Sequence, residues 1–213
     1  MQEYAMSRLL DRALRPAATA LAVLTLVLAA GCAADRAALS NIRYDLGPAT
    51  PVGSVGSSGP ALKVLDVSAP EAFDSDKFVY RLAYADAQRM AVYRDSRWIA
   101  PPAQLLTQRL RGALSARGAV LEGSDGVRAP TLKVDLSEFE QVFDGQSQSH
   151  GAVTARATLM QDGKVLGQRT FVARAPSSTP DAAGGARALA AASDELVSQI
   201  AAWVGVQAYA GTP

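Results

Sequence analysis

Val153-Thr-Ala-Arg-Ala-Thr-Leu159 is the stretch that decides the fold, because its apolar and polar residues alternate one by one. Strict alternation is typical of a β-strand that buries one face and exposes the other. The stretch is followed by Gln161-Asp-Gly-Lys164 and by a second strand pattern over 165–174. An Asp-Gly pair between two strand patterns is a strong signal for a two-residue hairpin turn. The sequence therefore predicts an antiparallel hairpin that turns at Asp162 and Gly163.

A third strand precedes this hairpin, and its alternation changes phase partway along. Its apolar positions switch from even to odd numbers, namely Leu132, Val134 and Leu136, then Phe139 and Phe143. One extra residue in a strand shifts every later side chain to the opposite face, which is the effect of a β-bulge. We therefore predict a bulge near Ser137-Glu138 that turns both phenylalanines towards the core. The three strands together form a predicted meander.

A mid-chain segment carries apolar residues at the spacing of an amphipathic helix. It begins after Pro101-Pro102 and ends before Gly118, which is the preferred order of these two residue types around a helix. The buried stripe is predicted to consist of Leu106, Leu110, Ala113 and Leu114. The polar residues are assigned to the other faces of the helix, namely Gln104, Gln108, Arg109 and Arg111.

A longer helix is predicted at the C-terminal end, from about residue 182 to residue 204, with Asp181 as its N-cap. Its apolar stripe is Leu189, Leu196, Ile200 and Trp203, flanked by Val197 and Val204. This spacing predicts a helix that packs one face against the sheet.

Shorter strand patterns occupy the first half of the chain. Residues 62–67 are predicted as the first core strand, and 78–82 and 89–93 as two strands joined by a turn at Asp86-Ala87. Upstream, Tyr44 and Leu46 are expected to pin the preceding segment to the fold. With the meander and the helices, these strands predict one α/β domain. It has a mixed β-sheet, a mid-chain helix and a long C-terminal helix packed on it.

The N-terminal 31 residues have the pattern of an export signal. Three arginines precede an apolar and small run over 17–30, which is shorter than the roughly 20 residues of a membrane-spanning helix. The run leads into Cys32, the single cysteine, and this junction resembles a bacterial lipobox. That resemblance implies cleavage before Cys32, a diacylglycerol on its thiol and acylation of the new N-terminus. The alternative is a plain secreted protein with a stray cysteine.

The predicted organisation has four parts: a lipoprotein signal peptide over 1–31, a lipidated tether and flexible Gly/Ser/Pro-rich loop over 32–60, the α/β domain over 61–205, and a disordered tail over 206–213. Ala33 follows the cysteine, where enteric lipoproteins retained in the inner membrane carry aspartate. We therefore expect the protein at the periplasmic face of the outer membrane, held by its lipid anchor.

Charge and composition exclude several classes of function. The formal net charge is +1, and residues 1–31 contain three arginines and two acidic residues, so the mature chain is neutral. Nucleic-acid-binding proteins normally carry a basic surface, so nucleic acid is not an expected partner. Once Cys32 is acylated, no thiol remains for a disulfide or for catalysis. The sequence predicts no catalytic residue, no cofactor and no metal.

Two polar features resemble catalytic or metal sites but have simpler interpretations. His150 is the single histidine. The sequence does not place a serine within its reach, as a Ser-His-Asp site requires, and it offers no second histidine or free cysteine for a zinc site. His150 is therefore interpreted as a solvated turn residue. Asp74 and Asp76 lack the glycine and terminal glutamate of a calcium loop, and are interpreted as a solvated turn.

Two further features have similarly ordinary interpretations. Glu138 and Glu140 lie on one face of a strand and are interpreted as exposed positions rather than as a carboxylate pair. Gly184-Gly185 opens the last helix, where an anion could bind, but a helix start that permits close packing is the simpler explanation.

The order of short motifs along the chain resembles one known family. After the lipobox come Tyr44-x-Leu-x-Pro48, Val64–Val67 with Ala69-Pro70, Val79-Tyr80-Arg81, Tyr93, Trp98, Pro101-Pro102, Phe139-x-Gln141-x-Phe143, and Gly184-Gly185-Ala-x-Ala-Leu189 before a helix that closes on Trp203. Taken together they are similar to the ABC-type transport auxiliary lipoprotein family. The resemblance covers about residues 40–205.

The resemblance implies a non-enzymatic accessory of an intermembrane lipid-transport system. In such systems an MCE-domain protein crosses the periplasm and an ABC permease and ATPase drive or feed it. The lipoprotein would dock this assembly at the outer membrane, as a homo-oligomer. Cys32 is the one position whose role carries over. Tyr93 and Trp98 are candidates for docking the partner, and Trp98 is equally interpretable as a core residue.

Two other hypotheses remain. The domain itself could bind a lipid or another hydrophobic ligand, which requires a cavity that the small side chains of the 152–159 strand could leave open. A periplasmic hydrolase is disfavoured because no acid–base constellation accompanies His150.

Overall fold

A computed structural model describes residues 42–49 and 59–210, with the side chains of 208–210 excepted. Cys32, the signal peptide and most of the tether lie outside these ranges. The strands are β1 (Ile42–Tyr44), β2 (Gly59–Val64), β3 (Lys77–Arg81), β4 (Met90–Trp98), β5 (Gly118–Leu121), β6 (Thr131–Phe143), β7 (Ser149–Gln161) and β8 (Lys164–Pro176). The helices are α1 (Pro102–Ser115) and α2 (Ala182–Ala210), and a short 3-10 helix covers Glu71–Phe73. The predicted α/β domain is confirmed.

β6 organises the mixed sheet, which has eight strands in the part of the chain that the structure describes. One edge of β6 pairs along its length with β7, antiparallel, and β7 pairs with β8 in the same way. The other edge of β6 is shared by two parallel neighbours, because β2 pairs near its start and β3 near its end. β4 pairs antiparallel with β3, and β5 lies parallel to β2.

The predicted hairpin and bulge are both confirmed. Asp162 and Gly163 have φ angles of 47° and 78° and connect paired residues of β7 and β8, as a type I′ turn requires. In β6, Leu136 pairs with Ala155 and Glu138 with Thr154, so Ser137 is the extra residue. The bulge restores the core orientation of the aromatic side chains beyond it, and Phe139 and Phe143 are buried.

α2 packs closely on the meander. The predicted stripe residues Leu189, Leu196 and Ile200 have no exposed surface, whereas Trp203 lies partly buried at the margin of the core. Beneath the helix the strand presents small residues, and a Cβ atom at Gly151 would come within 2.6 Å of the Ala188 backbone. Ala155 and Ala157 are fully buried in the same core. These small residues let the backbone of the helix lie close to the sheet.

The first core strand lies earlier than predicted, over Gly59–Val64 instead of residues 62–67. Val67 is buried, but its backbone N–H donates to Thr107 Oγ1 of α1 at 2.9 Å instead of to a neighbouring strand. The regular ladder therefore ends before Val67, and Ser68 returns to β6 only through an isolated bridge with Asp135.

Other element bounds also differ from the prediction. β4 continues to Trp98 instead of ending at residue 93, and the short strands β1 and β5 were not predicted. The last helix continues to Ala210, so the tail predicted as disordered from residue 206 is helical over 206–210. Gly205 does not end the helix because it does not adopt the positive φ that a helix-terminating glycine uses.

Candidate functional site

The two candidate docking residues lie in one aromatic cluster but at different depths. Trp98 has no exposed surface. Its ring centroid lies 4.6 Å from that of Phe78 and 5.4 Å from that of Phe139. Of its two interpretations, the structure shows the core residue, because a side chain without exposed surface has nothing to offer a docking partner directly.

Tyr93 lies at the outer side of this cluster and is half-buried. Its ring packs 5.1 Å from Phe78 and 4.8 Å from Tyr80, between centroids, and its hydroxyl donates to Gln141 Oε1 at 2.9 Å. Burial, followed by the influence of Tyr80 and Asp181, raises the pKa of the Tyr93 hydroxyl well above its ordinary value. The raised pKa keeps the hydroxyl protonated at neutral pH, where it donates to Gln141. The docking role of Tyr93 stays a prediction.

Gln141 connects Tyr93 to the start of α2. It is fully buried, and its Nε2 donates to Ser149 Oγ at 2.8 Å. A Cβ atom at Gly185 would overlap the Gln141 side-chain amide. The absence of a side chain at Gly185 therefore lets the start of α2 pack closely on the buried Gln141 amide. This agrees with the interpretation of Gly184-Gly185 as a helix start that permits close packing.

Asp181 is the N-cap of α2, as predicted. Its Oδ1 accepts a hydrogen bond from the Gly184 backbone N–H at 2.7 Å and another from Thr179 Oγ1 at 2.8 Å. The Gly184 hydrogen bond, assisted by Thr179, lowers the pKa of the Asp181 carboxyl. The Asp181 carboxylate thus accepts from the Gly184 backbone N–H, which lies in the first turn of α2 and has no helix carbonyl to bond to.

His150 was interpreted as a solvated turn residue, but it is partly buried near the start of a strand. It lies in β7, and its Nδ1 is 2.7 Å from Asp144 Oδ2. A shallow pocket of about 440 Å³ beside this pair is also lined by Ser147, Ser149 and Arg174. The hydroxyl of Ser149 accepts from Gln141, and in the described residues no hydrogen bond joins the imidazole to a serine.

Glu140 is buried, with 2% of its surface exposed, which corrects its assignment as an exposed strand residue. It forms a two-pronged ion pair with Arg81, whose Nε and Nη2 lie 2.8 and 3.2 Å from its carboxylate oxygens. Glu138 instead accepts from Thr154 Oγ1 at 2.5 Å. The two glutamates therefore have separate partners and do not act as a pair.

The predicted turn at Asp74 and Asp76 is more than a solvated loop. The carboxylate of Asp76 lies 3.4 Å from Arg43 Nη1 and 3.2 Å from Arg97 Nη1. These partly exposed ion pairs join the segment before β3 to β1 and β4. Within the described ranges, no group of three or more His, Cys, Asp or Glu side chains could hold a metal ion.

Arg109 was assigned to an exposed face, but it is buried. Its Nη1 lies 2.5 Å from Asp194 Oδ1 of α2, and its Nη2 donates to the carbonyl oxygens of Leu46 and Gly47 at 2.5 and 2.9 Å. The signal was present in the sequence, because Arg109 follows Leu106 by three residues and shares its helix face. One guanidinium thus ties α1, α2 and the segment after β1 together.

A groove of about 820 Å³ lies between α1, α2 and residues 46–49. Its walls are mostly small side chains, including Gly112, Ala113, Ala116, Ala190 and Ala191. The charged groups at the groove are Arg109, Asp194 and Glu195. A groove of this volume lies within the size range of small-ligand sites, although its lining mixes apolar and charged groups.

The fold of the described residues defines the class of the protein: an α/β domain in which a mixed sheet, α1 and α2 share a hydrophobic core. None of the helices in the described ranges has the length and apolar character needed to cross a membrane. A sequence model of the family described as ABC-type transport auxiliary lipoprotein component matches residues 44–201. The chain therefore belongs to the ABC-type transport auxiliary lipoprotein family.

Solved structures share the fold. A protein from Xanthomonas campestris is 25% identical with a TM-score of 0.67, over 75% of this chain and 91% of that one. An uncharacterized protein is 19% identical with a TM-score of 0.64, over 78% and 99% of the two chains. A hypothetical protein from Chlamydia trachomatis, 8% identical with a TM-score of 0.50 over 72% and 100%, is similar in fold alone. Among curated proteins, none matches this chain.

Proposed function

We propose that this protein is a non-enzymatic, lipid-anchored component of an MCE/ABC-type intermembrane lipid-transport system. Held at the periplasmic face of the outer membrane through Cys32, it docks the periplasmic part of an MCE-domain protein, whose permease and ATPase lie in the inner membrane. It acts as a homo-oligomer.

The observation that carries this proposal is the family match, which extends over 44–201 and so covers nearly all of the described domain. The family description supplies the link to an ABC transporter. The sequence supplies the anchor, because a lipobox-like junction precedes Cys32. The first described strand begins at Ile42, ten residues after Cys32, and a chain of that length spans at most about 35 Å. A domain on such a tether stays close to its membrane, where a docking component is needed.

The experiment is mild crosslinking in cells that carry a tagged copy, followed by solubilisation of the membranes and identification of co-purifying proteins. We expect an MCE-domain protein, with or without its permease. Separated inner and outer membranes, analysed in parallel, test the location. Repeated preparations without an MCE-domain protein, from cells that express one, would refute the docking role.

Cys32→Ser tests the anchor. Because the thiol serves only for lipid attachment in this proposal, we expect the variant to fold but to remain unprocessed or to leave the outer membrane fraction. Fractionation, with the size of the mature protein on a gel, measures both. Mature Cys32→Ser protein that still fractionates with the outer membrane would show that the lipobox interpretation is wrong.

A second candidate function is the binding of a lipid or hydrophobic molecule by the domain itself, which the groove of about 820 Å³ between α1 and α2 favours. Extraction of the protein purified without detergent, followed by mass spectrometry, tests it. One lipid class at near-stoichiometric amount, lost when Ala191→Trp fills the groove, would support this function. Repeated blanks would exclude it and leave the docking role as the function.

A further inference from the structure

β8 is a long strand at the edge of the sheet. It extends over thirteen residues, Lys164–Pro176, and among the described strands it pairs only with β7. The opposite ends of the sheet are the much shorter strands β1 and β5. An unpaired edge of this length exposes a row of backbone donors and acceptors to which another chain can add a strand.

The hydrogen-bond phase shows which backbone groups of β8 are available. The Ser177 N–H donates to the Ser149 carbonyl at 2.9 Å, directly beyond the pairing of His150 with Pro176. In an antiparallel pair, residues alternate between bonding to the neighbour and pointing away from it. The odd-numbered residues therefore bond to β7. The outward-pointing groups belong to Gln168, Thr170, Val172 and Arg174.

The regular part of this edge begins after a bulge. The register between β7 and β8 shifts at Leu159 and Met160, which pair with Gly167 and Val165, so Leu166 is the extra residue. From Gly167 to Pro176 the register is continuous. This stretch is long enough to hold a short added strand.

The exposed charged side chains of β8 are all basic, which favours an added strand of negative charge. Residues 164–176 contain one lysine and two arginines, Arg169 and Arg174, and no aspartate or glutamate. Both arginines are exposed, and within the described residues neither takes part in an ion pair. Val172, between them, is 50% exposed. Opposite charges placed directly across two strands stabilise the pairing, and like charges weaken it.

We propose that the outer edge of β8 binds an extended, acidic segment of a partner protein as an additional antiparallel strand. The segment places one carboxylate opposite Arg174, an apolar side chain two residues later opposite Val172, and a second carboxylate five residues after the first, opposite Arg169. This inference deepens the proposed function, on which it rests for the partner's place in the cell. It names the surface and the chemistry of the partner.

A second copy of this chain fits the edge less well. Two β8 strands paired with each other bring four arginines together over the regular stretch, with no carboxylate from either strand to balance them. Charged side chains on an edge strand are a common protection against self-pairing. The same charges leave the edge open to an acidic segment.

Hydrogen exchange followed by NMR on the detergent-solubilised mature chain tests the proposal. The probe is the capped peptide Thr-Glu-Thr-Val-Thr-Thr-Glu-Thr, which carries the required spacing, and the control peptide has lysine at both glutamate positions. We expect the amides of Gln168, Thr170, Val172 and Arg174 to exchange fast in the free protein and to become protected saturably by the acidic peptide alone. No protection at millimolar peptide, or equal protection by the lysine peptide, would overturn the proposal.

Two variants of β8 sharpen the test. Thr170→Pro removes an outward N–H and leaves the β7 ladder intact, so it should abolish peptide protection in a folded domain. Arg174→Glu should weaken binding about tenfold or more. Arg128→Glu makes the same charge change on an exposed loop and should bind like the wild type. Equal weakening by Arg174→Glu and Arg128→Glu would show that only net charge matters and would contradict the proposal.

The outcomes separate this inference from the proposed function. Protection of the four amides that rises with protein concentration, without peptide, would identify a second copy as the occupant and overturn the proposal. If the peptide fails to bind while the MCE-domain protein still co-purifies, the docking surface lies elsewhere and the proposed function stands. If the peptide binds as expected but no MCE-domain protein co-purifies, the proposed function fails and the strand site remains.

Discussion

Asp181 shows how one side chain can start a helix and respond to pH. Its carboxylate accepts the Gly184 N–H at 2.7 Å. An N-cap aspartate replaced by alanine typically costs about 1 kcal/mol of stability, whereas asparagine is nearly as good a cap. We therefore expect Asp181→Ala to lower the melting temperature by several degrees and Asp181→Asn to lower it little, in thermal denaturation followed by circular dichroism.

The same residue gives a pH dependence with a defined sign. The Gly184 hydrogen bond, with Thr179, holds the pKa of folded Asp181 below its unfolded value of about 3.9. Its contribution is therefore complete above that unfolded pKa and is lost as the pH falls through the folded pKa. The difference in unfolding free energy between wild type and Asp181→Ala should therefore narrow below about pH 4. A gap that is constant from pH 7 to pH 3 would contradict this role of the carboxylate.

Substitution of alanine for glycine should have opposite effects on the stability of the domain at two positions, Gly185 and Gly112. A Cβ atom at Gly185 would overlap the buried Gln141 amide, so Gly185→Ala should destabilise the domain by about 1–3 kcal/mol through overpacking. At Gly112 in α1, a Cβ atom meets nothing within 4 Å, so Gly112→Ala should stabilise it by about 0.5–1 kcal/mol. Urea denaturation of both variants measures the two effects. If both variants change the free energy of unfolding equally, the contact with Gln141 does not prevent a larger residue at position 185.

At the scale of the element, the bulge at Ser137 fixes which face of β6 is apolar. Deletion of Ser137 would turn Phe139, Gln141 and Phe143 to the opposite face, and each buried phenylalanine contributes about 1.5–3 kcal/mol. We expect the deletion to abolish cooperative unfolding. Ser137→Ala, which keeps the residue count, should lie within about 0.5 kcal/mol of wild type. A deletion variant with native stability would show that β6 can shift its register without loss.

Elements with strong local signals could be predicted from the sequence, whereas those that depend on distant partners could not. The type I′ hairpin, the bulge and the two helices follow from turn residues and periodicity. β1 and β5 contain three and four residues, too few for a pattern. The burial of Glu140 and Arg109 depends on Arg81 and Asp194, which lie 59 and 85 positions away in the chain. The depth of Trp98 depended likewise on long-range packing.

At the scale of the whole molecule, Arg109 joins the segment after β1 to both helices. Arg109→Met keeps an apolar stem but loses the hydrogen bonds to the Leu46 and Gly47 carbonyls and the pairing with Asp194. Hydrogen bonds to a charged group contribute about 1.5–3 kcal/mol each. We expect lower stability and much faster hydrogen exchange over residues 46–49. Gln108→Met, on the exposed side of α1, is the control and should leave this exchange unchanged.

The way β6 shares one edge between β2 and β3 determines the order in which the chain can fold. β2 finds its parallel partners only at Gly118 and Thr131, and β3 finds its own at Gln141. β6, β7 and β8 pair with immediate neighbours in the chain. Pairings between distant residues form slowly and leave aggregation-prone edges open meanwhile. A chain that emerges N-terminus first therefore leaves the β6-facing edges of β2 and β3 unpaired until β6 is present. Truncated products that end before Thr131 lack the strand that joins the β2–β5 pair to the β3–β4 pair.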